Sequence, residues 1–473
     1  MRSTSHAFTA GARHALADAD LQRALGMLKT GFRAKRRVAA ERLPEFDTLR
    51  DVARDLKDHT LDNLDLYLER FESRVTERGG KVHWCRDAAS ARRTVLAICQ
   101  AAGARTVIKS KSMVTEEIAL NDFLAGRGVE PVETDLGEYI IQLRKEPPSH
   151  IIAPAIHLNR GHVADAFKAA HGELPADRPL TEPRQLLDEA RAVLRQRFLA
   201  ADVGITGANL LVAETGSVVV VTNEGNADLT QTLPRVHVVV TGIEKVVPTM
   251  EDAFTVLRLL ARSATGQEFS AYTTVVAGPR RPDDRDGPEE FHVVLLDNGR
   301  SDMLGGEFQD MLRCIRCAAC INHCPIYGAT GGHAYGSVYP GPMGSVLTPA
   351  LAGLAEARDL PNASTLCGRC EAVCPMRIPL PKMLRHWRER EFERHLQPAR
   401  ARVALRAWAW LARHPRLYRL ATGAASAGLG WLGRRRGRIA ALPLAGGWTA
   451  SRDLPAPEGG TFLGQWAAGK RRA

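Results

Sequence analysis

Seven cysteines in two short runs are the residues of this sequence best suited to chemistry. They are Cys314, Cys317, Cys320 and Cys324 in C-I-R-C-A-A-C-I-N-H-C-P, and Cys367, Cys370 and Cys374 in C-G-R-C-E-A-V-C-P. Three thiolates separated by two residues each can bind three corners of one iron–sulfur cubane. A fourth thiolate, set further along and followed by proline, reaches a second cluster. The spacing therefore predicts two iron–sulfur clusters that exchange their last ligands.

This exchange assigns the ligands of both clusters and leaves one vertex open. Cluster 1 takes Cys314, Cys317, Cys320 and Cys374, whereas cluster 2 takes Cys324, Cys367 and Cys370. Aligning the two runs on their Cys-Pro ends places Ser364 where a fourth thiol of cluster 2 would stand. Serine oxygen suits soft iron less well than sulfur does. Three options follow: Ser364 binds the iron, the iron is labile and carries another ligand, or cluster 2 is [3Fe-4S] instead of [4Fe-4S].

Zinc is the competing interpretation of these cysteines. Structural zinc sites use two separated Cys-x2-Cys pairs, which explains neither three closely spaced cysteines nor the Cys-Pro ends. His323 is a candidate ligand, but its adjacency to Cys324 favours an ordinary polar role. Cys85 and Cys99 stand alone and are expected to be small buried hydrophobic residues.

Composition and charge limit the class of protein and its location. The chain has 473 residues, of which 45% are hydrophobic and 25% charged, so we expect several folded domains. The formal charge of +11 is concentrated near the carboxyl end, because no Asp or Glu lies between Glu393 and Asp453. No apolar stretch of signal-peptide or membrane-spanning length is present. We expect a cytoplasmic protein, in which the cysteines stay reduced and the basic tail could contact the inner face of the membrane.

The pattern of hydrophobic residues divides the chain into four parts. We predict an N-terminal helical segment (1–60), an α/β domain (61–298), a two-cluster domain (299–392) and a basic helical C-terminal region (393–473). In the second part, continuous Val and Leu runs predict strands covered on both faces. We predict further a helix over Glu116–Ala125 and a strand over His150–Ile156. Lys109 and Lys111 could bind an anionic ligand where that helix begins, or the helix start could simply be capped.

Several long motifs resemble the lactate-utilisation protein B (LutB) family over nearly the whole chain. They include K-S-K-S-M-V-T-E-E-I-A-L-N (109–121), V-E-T-D-L-G-E-Y-I-I-Q-L (132–143) and the glycine-rich insert G-G-H-A-Y-G-S-V-Y-P-G-P-M-G (331–344). Ser364 also fits the family pattern. The resemblance implies an α/β LUD-type domain, with its sheet flanked by helices, followed by an α-helical two-cluster ferredoxin-like domain. It implies the same seven cysteine ligands for two [4Fe-4S] clusters and no catalytic residue in this chain.

The resemblance also implies a role in electron transfer during oxidation of L-lactate to pyruvate. The expected partners are a LutA-like cysteine-rich subunit and a LutC-like LUD-domain subunit, with a further electron acceptor that the sequence does not identify. One alternative is an enzyme in which the incompletely ligated cluster 2 acts as a Lewis acid on a hydroxy acid. A second is a lipid- or nucleic-acid-binding module with structural clusters. Nucleic acid is not expected, because no recognised binding module accompanies the charge.

Overall fold

The computed structural model describes residues 3–442, 445–449, 452–458, 460–467 and 469. The chain forms two compact units, Met1–Arg390 and Glu391–Ala473. The N-terminal helices, the α/β region and both cysteine runs all belong to the first unit. The domain boundaries that the sequence suggests inside this unit stay predictions.

The strands of the first unit form two sheets. In chain order they are β1 (Lys81–Cys85), β2 (Thr106–Lys109), β3 (Glu130–Glu133), β4 (Val203–Thr206), β5 (Leu210–Val212), β6 (Ser217–Thr222), β7 (Val236–Gly242), β8 (Val246–Val247), β9 (Tyr272–Val276) and β10 (Glu290–Leu296). Six of them make a parallel sheet in the order β1-β10-β7-β4-β2-β3. The other four pair in the order β8-β5-β6-β9.

Helices surround these sheets, and short helices separated by loops form the cysteine region. Those before β4 are α1 (Phe8–Ala17), α2 (Ala19–Leu28), α3 (Ala34–Glu41), α4 (Phe46–Asp62), α5 (Leu64–Glu77), α6 (Ala88–Ala101), α7 (Met113–Glu117), α8 (Leu120–Ala125), α9 (Leu136–Arg144), α10 (Arg160–Ala170) and α11 (Pro183–Ala200). The later helices of the first unit are α12 (Asn226–Thr232), α13 (Met250–Ala264), α14 (Ala319–His323), α15 (Tyr327–Thr330), α16 (Gly341–Ala352), α17 (Arg369–Ala372) and α18 (Leu380–Glu393), the last of which extends past Arg390.

The parallel sheet is buried on both faces, as its apolar runs predict. In β7, Val238 and Val240 join one hydrophobic core with residues of α6 and α8. Val239 between them joins a second core on the opposite face. Because side chains alternate along a strand, an unbroken valine run fills both cores at once. The predicted α/β class with helices on both sides of the sheet is confirmed.

Two local predictions are wrong. The helix predicted over Glu116–Ala125 is broken at Ala119, whose φ of 50° ends α7 and starts α8. The break allows Glu117 to point toward a buried arginine while Leu120 packs in the core. The strand predicted over His150–Ile156 is a series of turns, because His150 Nδ1 accepts hydrogen bonds from two backbone N–H groups that a sheet would need.

A buried charge network joins the α/β region to the cysteine region. Arg300 follows β10, is 1% exposed and donates to Glu244 Oε2 at 2.8 Å. It also donates to both oxygens of Glu117 at 3.0 and 2.8 Å. Tyr339 of the glycine-rich insert donates to Glu117 Oε2 at 2.7 Å. Arg316, between two of the cysteines, lies 3.5 Å from Glu244 Oε1. The two carboxylates therefore hold three separate segments together.

Electrostatics keep these buried carboxylates charged. Burial alone would raise the pKa of Glu244, but Arg300, Arg316 and Lys245 lower it to about 2. Burial would also raise the pKa of Glu117, but the charge of Arg300 and hydrogen bonds from Arg300, Tyr339 and Asn298 together lower it. Gly242 makes room for this arrangement, since a Cβ there would lie 2.0 Å from Glu244 Oε2.

The second unit consists mainly of the helices α19 (Ala399–Ala412) and α20 (Pro415–Gly433). Shorter elements follow them: β11 (Arg438–Ile439), α21 (Gly446–Thr449), β12 (Leu454–Pro455) and α22 (Phe462–Ala467). Trp408, Trp410 and Trp431 are each more than half exposed. Among the residues that the structure describes, no helix is both long and apolar enough to cross a membrane.

We expect Arg300→Met to lower the free energy of unfolding by about 3–5 kcal/mol, because it leaves two buried carboxylates without their shared partner. Arg280→Met is the matched control. Arg280 pairs with Glu289 on the surface, with 43% and 46% of the two side chains exposed, so its loss should cost less than about 1 kcal/mol. Urea unfolding of the cluster-loaded proteins measures the free energy of unfolding of both variants. Equal stabilities of the two variants would contradict a supporting role for Arg300.

Candidate iron–sulfur centre

The first cysteine run is shaped by two left-handed residues. Arg316 and Ala318 have φ values of 59° and 60°, and α14 begins at Ala319. Such conformations cost non-glycine residues about 1–2 kcal/mol, so the surrounding contacts must enforce them. The resulting curve turns the side chains of Cys314, Cys317 and Cys320 toward one cavity.

That cavity brings together the four thiols predicted for cluster 1. Cys374, from the second run, lines it together with the three thiols of the first run. The other lining residues are mainly apolar, including Ile151, Met343 and Leu380. The four sulfur atoms thus converge from two distant segments, and the ligand assignment itself stays a prediction.

The second set of thiols lies beside the first and is more open. Burial, followed by the neighbouring Cys324 and Cys367, raises the pKa of Cys370 to about 12. The three thiols are therefore close in space. Leu366 and Gly368, with φ values of 53° and 78°, curve the chain around Cys367. Cys324 and Cys370 are buried but Cys367 is exposed, so this set reaches the protein surface.

The chemistry of both sets fits iron–sulfur clusters. Thiolates are soft ligands that favour iron, and burial raises the pKa of Cys317 to about 12, so that protonated thiols fill the site unless a metal replaces the protons. The Tyr335 hydroxyl is buried beside Cys324 and has no oxygen or nitrogen partner among the described residues. A cluster sulfur would accept a hydrogen bond from such a donor. Bound there, a cluster supplies reversible one-electron redox chemistry.

Ser364 is positioned by the backbone around it. Its hydroxyl oxygen accepts a hydrogen bond from the Leu366 N–H at 3.1 Å, which closes a tight turn. Its carbonyl accepts one from Arg388 Nη2 at 2.8 Å. The serine therefore has a structural role at this position, independent of any role as an iron ligand.

The remaining candidates have ordinary roles. His323 donates through Nδ1 to the carbonyl of Ala319 at 2.8 Å, one turn earlier in its own helix. Cys85 and Cys99 are buried in the core beneath the parallel sheet. Lys109 is 1% exposed and enclosed by Glu133 and Glu116, at 2.6 and 2.9 Å, so it cannot bind an outside anion.

Arginines of the N-terminal helices bind the backbone around the clusters, which sequence reasoning missed. Arg50 donates to the carbonyls of Cys374 and Ala372 at 2.8 Å. Arg36 donates to the carbonyl of Val373 at 2.8 Å. The many arginines of the N-terminal segment are visible in the sequence. Their charge alone, however, does not predict which backbone carbonyls they bind.

Three parts of the chain match known protein families. Residues 68–296 match the LUD domain, residues 310–378 a 4Fe-4S dicluster domain, and residues 369–470 the C-terminal region of lactate utilisation protein B. Lactate utilization protein B of Bacillus licheniformis is 43% identical over 93% of this chain and 92% of its own length. This chain belongs to the lactate utilization protein B family. Family membership confirms the predicted LUD-type fold followed by an iron–sulfur domain.

Other similar proteins carry related names. An Escherichia coli relative, named uncharacterized electron transport protein YkgF, is 41% identical over 98% of this chain and 96% of its own length. A solved structure of a DUF162 family protein from Deinococcus radiodurans covers 49% of this chain and 98% of its own, at 14% identity and a TM-score of 0.27. The match to a 4Fe-4S dicluster domain supports iron–sulfur clusters in this chain, and their number and type are taken up below.

We expect Ser364→Ala to leave the iron content and the electron paramagnetic resonance signal of cluster 2 unchanged. The reason is that the serine oxygen already accepts a hydrogen bond within its turn. Ser364→Cys is the matched comparison, because it offers a fourth thiolate and should alter that signal. Loss of about one iron per chain in Ser364→Ala would instead identify the serine oxygen as a ligand.

Proposed function

We propose that this protein transfers electrons during oxidation of L-lactate to pyruvate, using two [4Fe-4S] clusters. The observation that supports this most strongly is the convergence of four thiols in one buried cavity, beside a second set that reaches the surface. Cluster 1 would be held by Cys314, Cys317, Cys320 and Cys374, and cluster 2 by Cys324, Cys367 and Cys370. The names of the relatives provide the link to lactate and to electron transport.

The stoichiometry suits this role. Oxidation of L-lactate to pyruvate releases two electrons and two protons, and each cluster accepts one electron at a time. Electrons would pass between the buried cluster and the one that reaches the surface. Burial and the thiols of Cys314, Cys317, Cys374 and Cys370 raise the pKa of Cys320, so the two sets are electrostatic neighbours.

Partners would dock where cluster 2 is exposed. Arg33, Arg36, Arg37 and Arg369 line one surface depression beside this set of thiols, and such a surface suits an acidic partner. We propose that a LutA-like cysteine-rich subunit and a LutC-like LUD-domain subunit complete the system in the cytoplasm. The exposed tryptophans and arginines of the second unit would suit a peripheral contact with an anionic membrane.

The open side of cluster 2 also favours a second candidate function. Three thiols, one of them the exposed Cys367, would leave one iron vertex accessible. An accessible iron could act as a Lewis acid on a hydroxy acid. A change in the cluster 2 signal of the isolated protein on addition of L-lactate would favour this function over electron transfer.

Anaerobic iron and sulfide quantification, combined with electron paramagnetic resonance, tests the cluster assignment. We expect about eight irons per chain, or about seven if cluster 2 has three irons. Cys317→Ala should lose about four of them, whereas Cys99→Ala should retain all because Cys99 lies in the hydrophobic core. Zinc without iron, or equal losses in the two variants, would overturn the proposal.

Electron transfer is tested by reconstitution. The clusters of this protein should become reduced by L-lactate only when both companion subunits are present. The Cys317→Ala variant should block passage to an artificial acceptor. Unchanged passage through that variant would show that cluster 1 is not on the route.

A further inference from the structure

A second cavity lies next to cluster 1, in the α/β region. Its volume is about 260 Å³, below the roughly 300–1,000 Å³ of sites for drug-sized ligands. Its walls include the segments that follow β2, β3, β4 and β7, among them Ser112, Asp135, Asn209 and Lys245. Ligands of open parallel sheets bind at this carboxyl edge of the strands. The cavity therefore has the size and position of a site for a small metabolite.

Three cations line this cavity: Lys111, Lys245 and Arg316. Lys111 donates to the Ile152 carbonyl at 2.8 Å, and Arg316 Nη2 lies 3.5 Å from Glu244. Within the described part of the chain, Lys245 and Arg316 Nη1 keep unused donors.

The Lys245 side chain belongs to a residue that is 6% exposed, and among the described residues its ammonium has no hydrogen-bond partner and no contact ion pair. Arg316 lines the same cavity, and its Nη1 is buried without a hydrogen bond. The positive charges of Lys245 and Arg316 repel each other. Buried donors are normally paired, so an anion bound in this cavity would use the free hydrogen-bonding capacity of Lys245 and Arg316.

Acidic side chains in the same cavity limit which anions could bind there. Glu224 Oε2 accepts a hydrogen bond from the Leu136 N–H at 3.1 Å, and Asp135 Oδ1 accepts one from the Glu138 N–H at 3.1 Å. Both carboxylates line the cavity and would repel a dianion such as phosphate. They can also accept a hydrogen bond from a ligand hydroxyl.

We propose that this cavity binds a small hydroxy acid, with its carboxylate at Lys245 and Arg316 and its hydroxyl directed toward the acidic side. The choice of a hydroxy acid rests on the proposed function, because L-lactate belongs to this chemical class. The bound carboxylate would lie close to cluster 1, because Arg316 and Ile151 line both cavities. Its negative charge should lower the reduction potential of that cluster.

Calorimetric titration of the cluster-loaded protein with L-lactate tests the site. We expect L-lactate to bind at least about tenfold more tightly than acetate, which lacks the hydroxyl, and inorganic phosphate to bind more weakly still. Lys245→Met should weaken L-lactate binding at least about tenfold. Lys168→Met, on the exposed face of α10, is the matched control and should bind like the unaltered protein.

A second readout separates binding from a structural role. Since Lys245 is buried without a partner, Lys245→Met should raise the melting temperature of the ligand-free protein, whereas loss of a supporting lysine would lower it. A lower melting temperature with unchanged L-lactate affinity would overturn the proposal. Tighter binding of phosphate, or no heat with L-lactate, would also overturn it. Neither measurement needs the companion subunits, so failure of electron transfer would leave this result unaffected.

Discussion

The guanidinium of Arg300 is the buried charge on which the first unit depends. It lies between Glu117 of α7 and Glu244 after β7, and each carboxylate also contacts a residue of the cysteine region. A charged side chain that is buried away from water is stable only when oppositely charged or hydrogen-bonding groups surround it. The α/β sheet and the cysteine loops are therefore bound by the same few atoms. The sheet and the two cysteine runs, which could have formed separate domains, instead share one interior.

The arrangement explains why the cysteine loops can adopt strained shapes. Arg316 has a left-handed backbone, yet its side chain faces Glu244 and lies over the ring of Tyr339, 4.9 Å from its centroid. On the other side, Arg50 binds the carbonyl of Cys374. The cysteines are thus held from the α/β region on one side and from the N-terminal helices on the other. Preformed loops of this kind restrict how far a cluster can reorganise when its charge changes.

Much of this could be predicted from the sequence, and the reasons differ among the elements. Cysteine spacing is a local property, so the two sets of thiols could be proposed before their convergence was visible. The valine runs likewise predict a sheet covered on both faces. The break at Ala119 and the turns at His150 could not be foreseen, because each depends on distant partners: Arg300 for Glu117, and Asn322 for His150. The cavity beside Lys245 was hidden for the same reason, since its walls come from separate strand ends.

The contacts of Arg50 have a consequence for how the protein matures. This residue lies 324 positions before the cysteine whose carbonyl it binds. The helix that carries Arg50 is therefore synthesised long before the loop that it contacts. Until that loop has been made, the N-terminal helices cannot pack against the cysteine region. Iron and sulfide can reach the cysteines after the loop is made and before the helices close over it. Biogenesis of the protein would therefore place metal delivery ahead of the final closure of the chain.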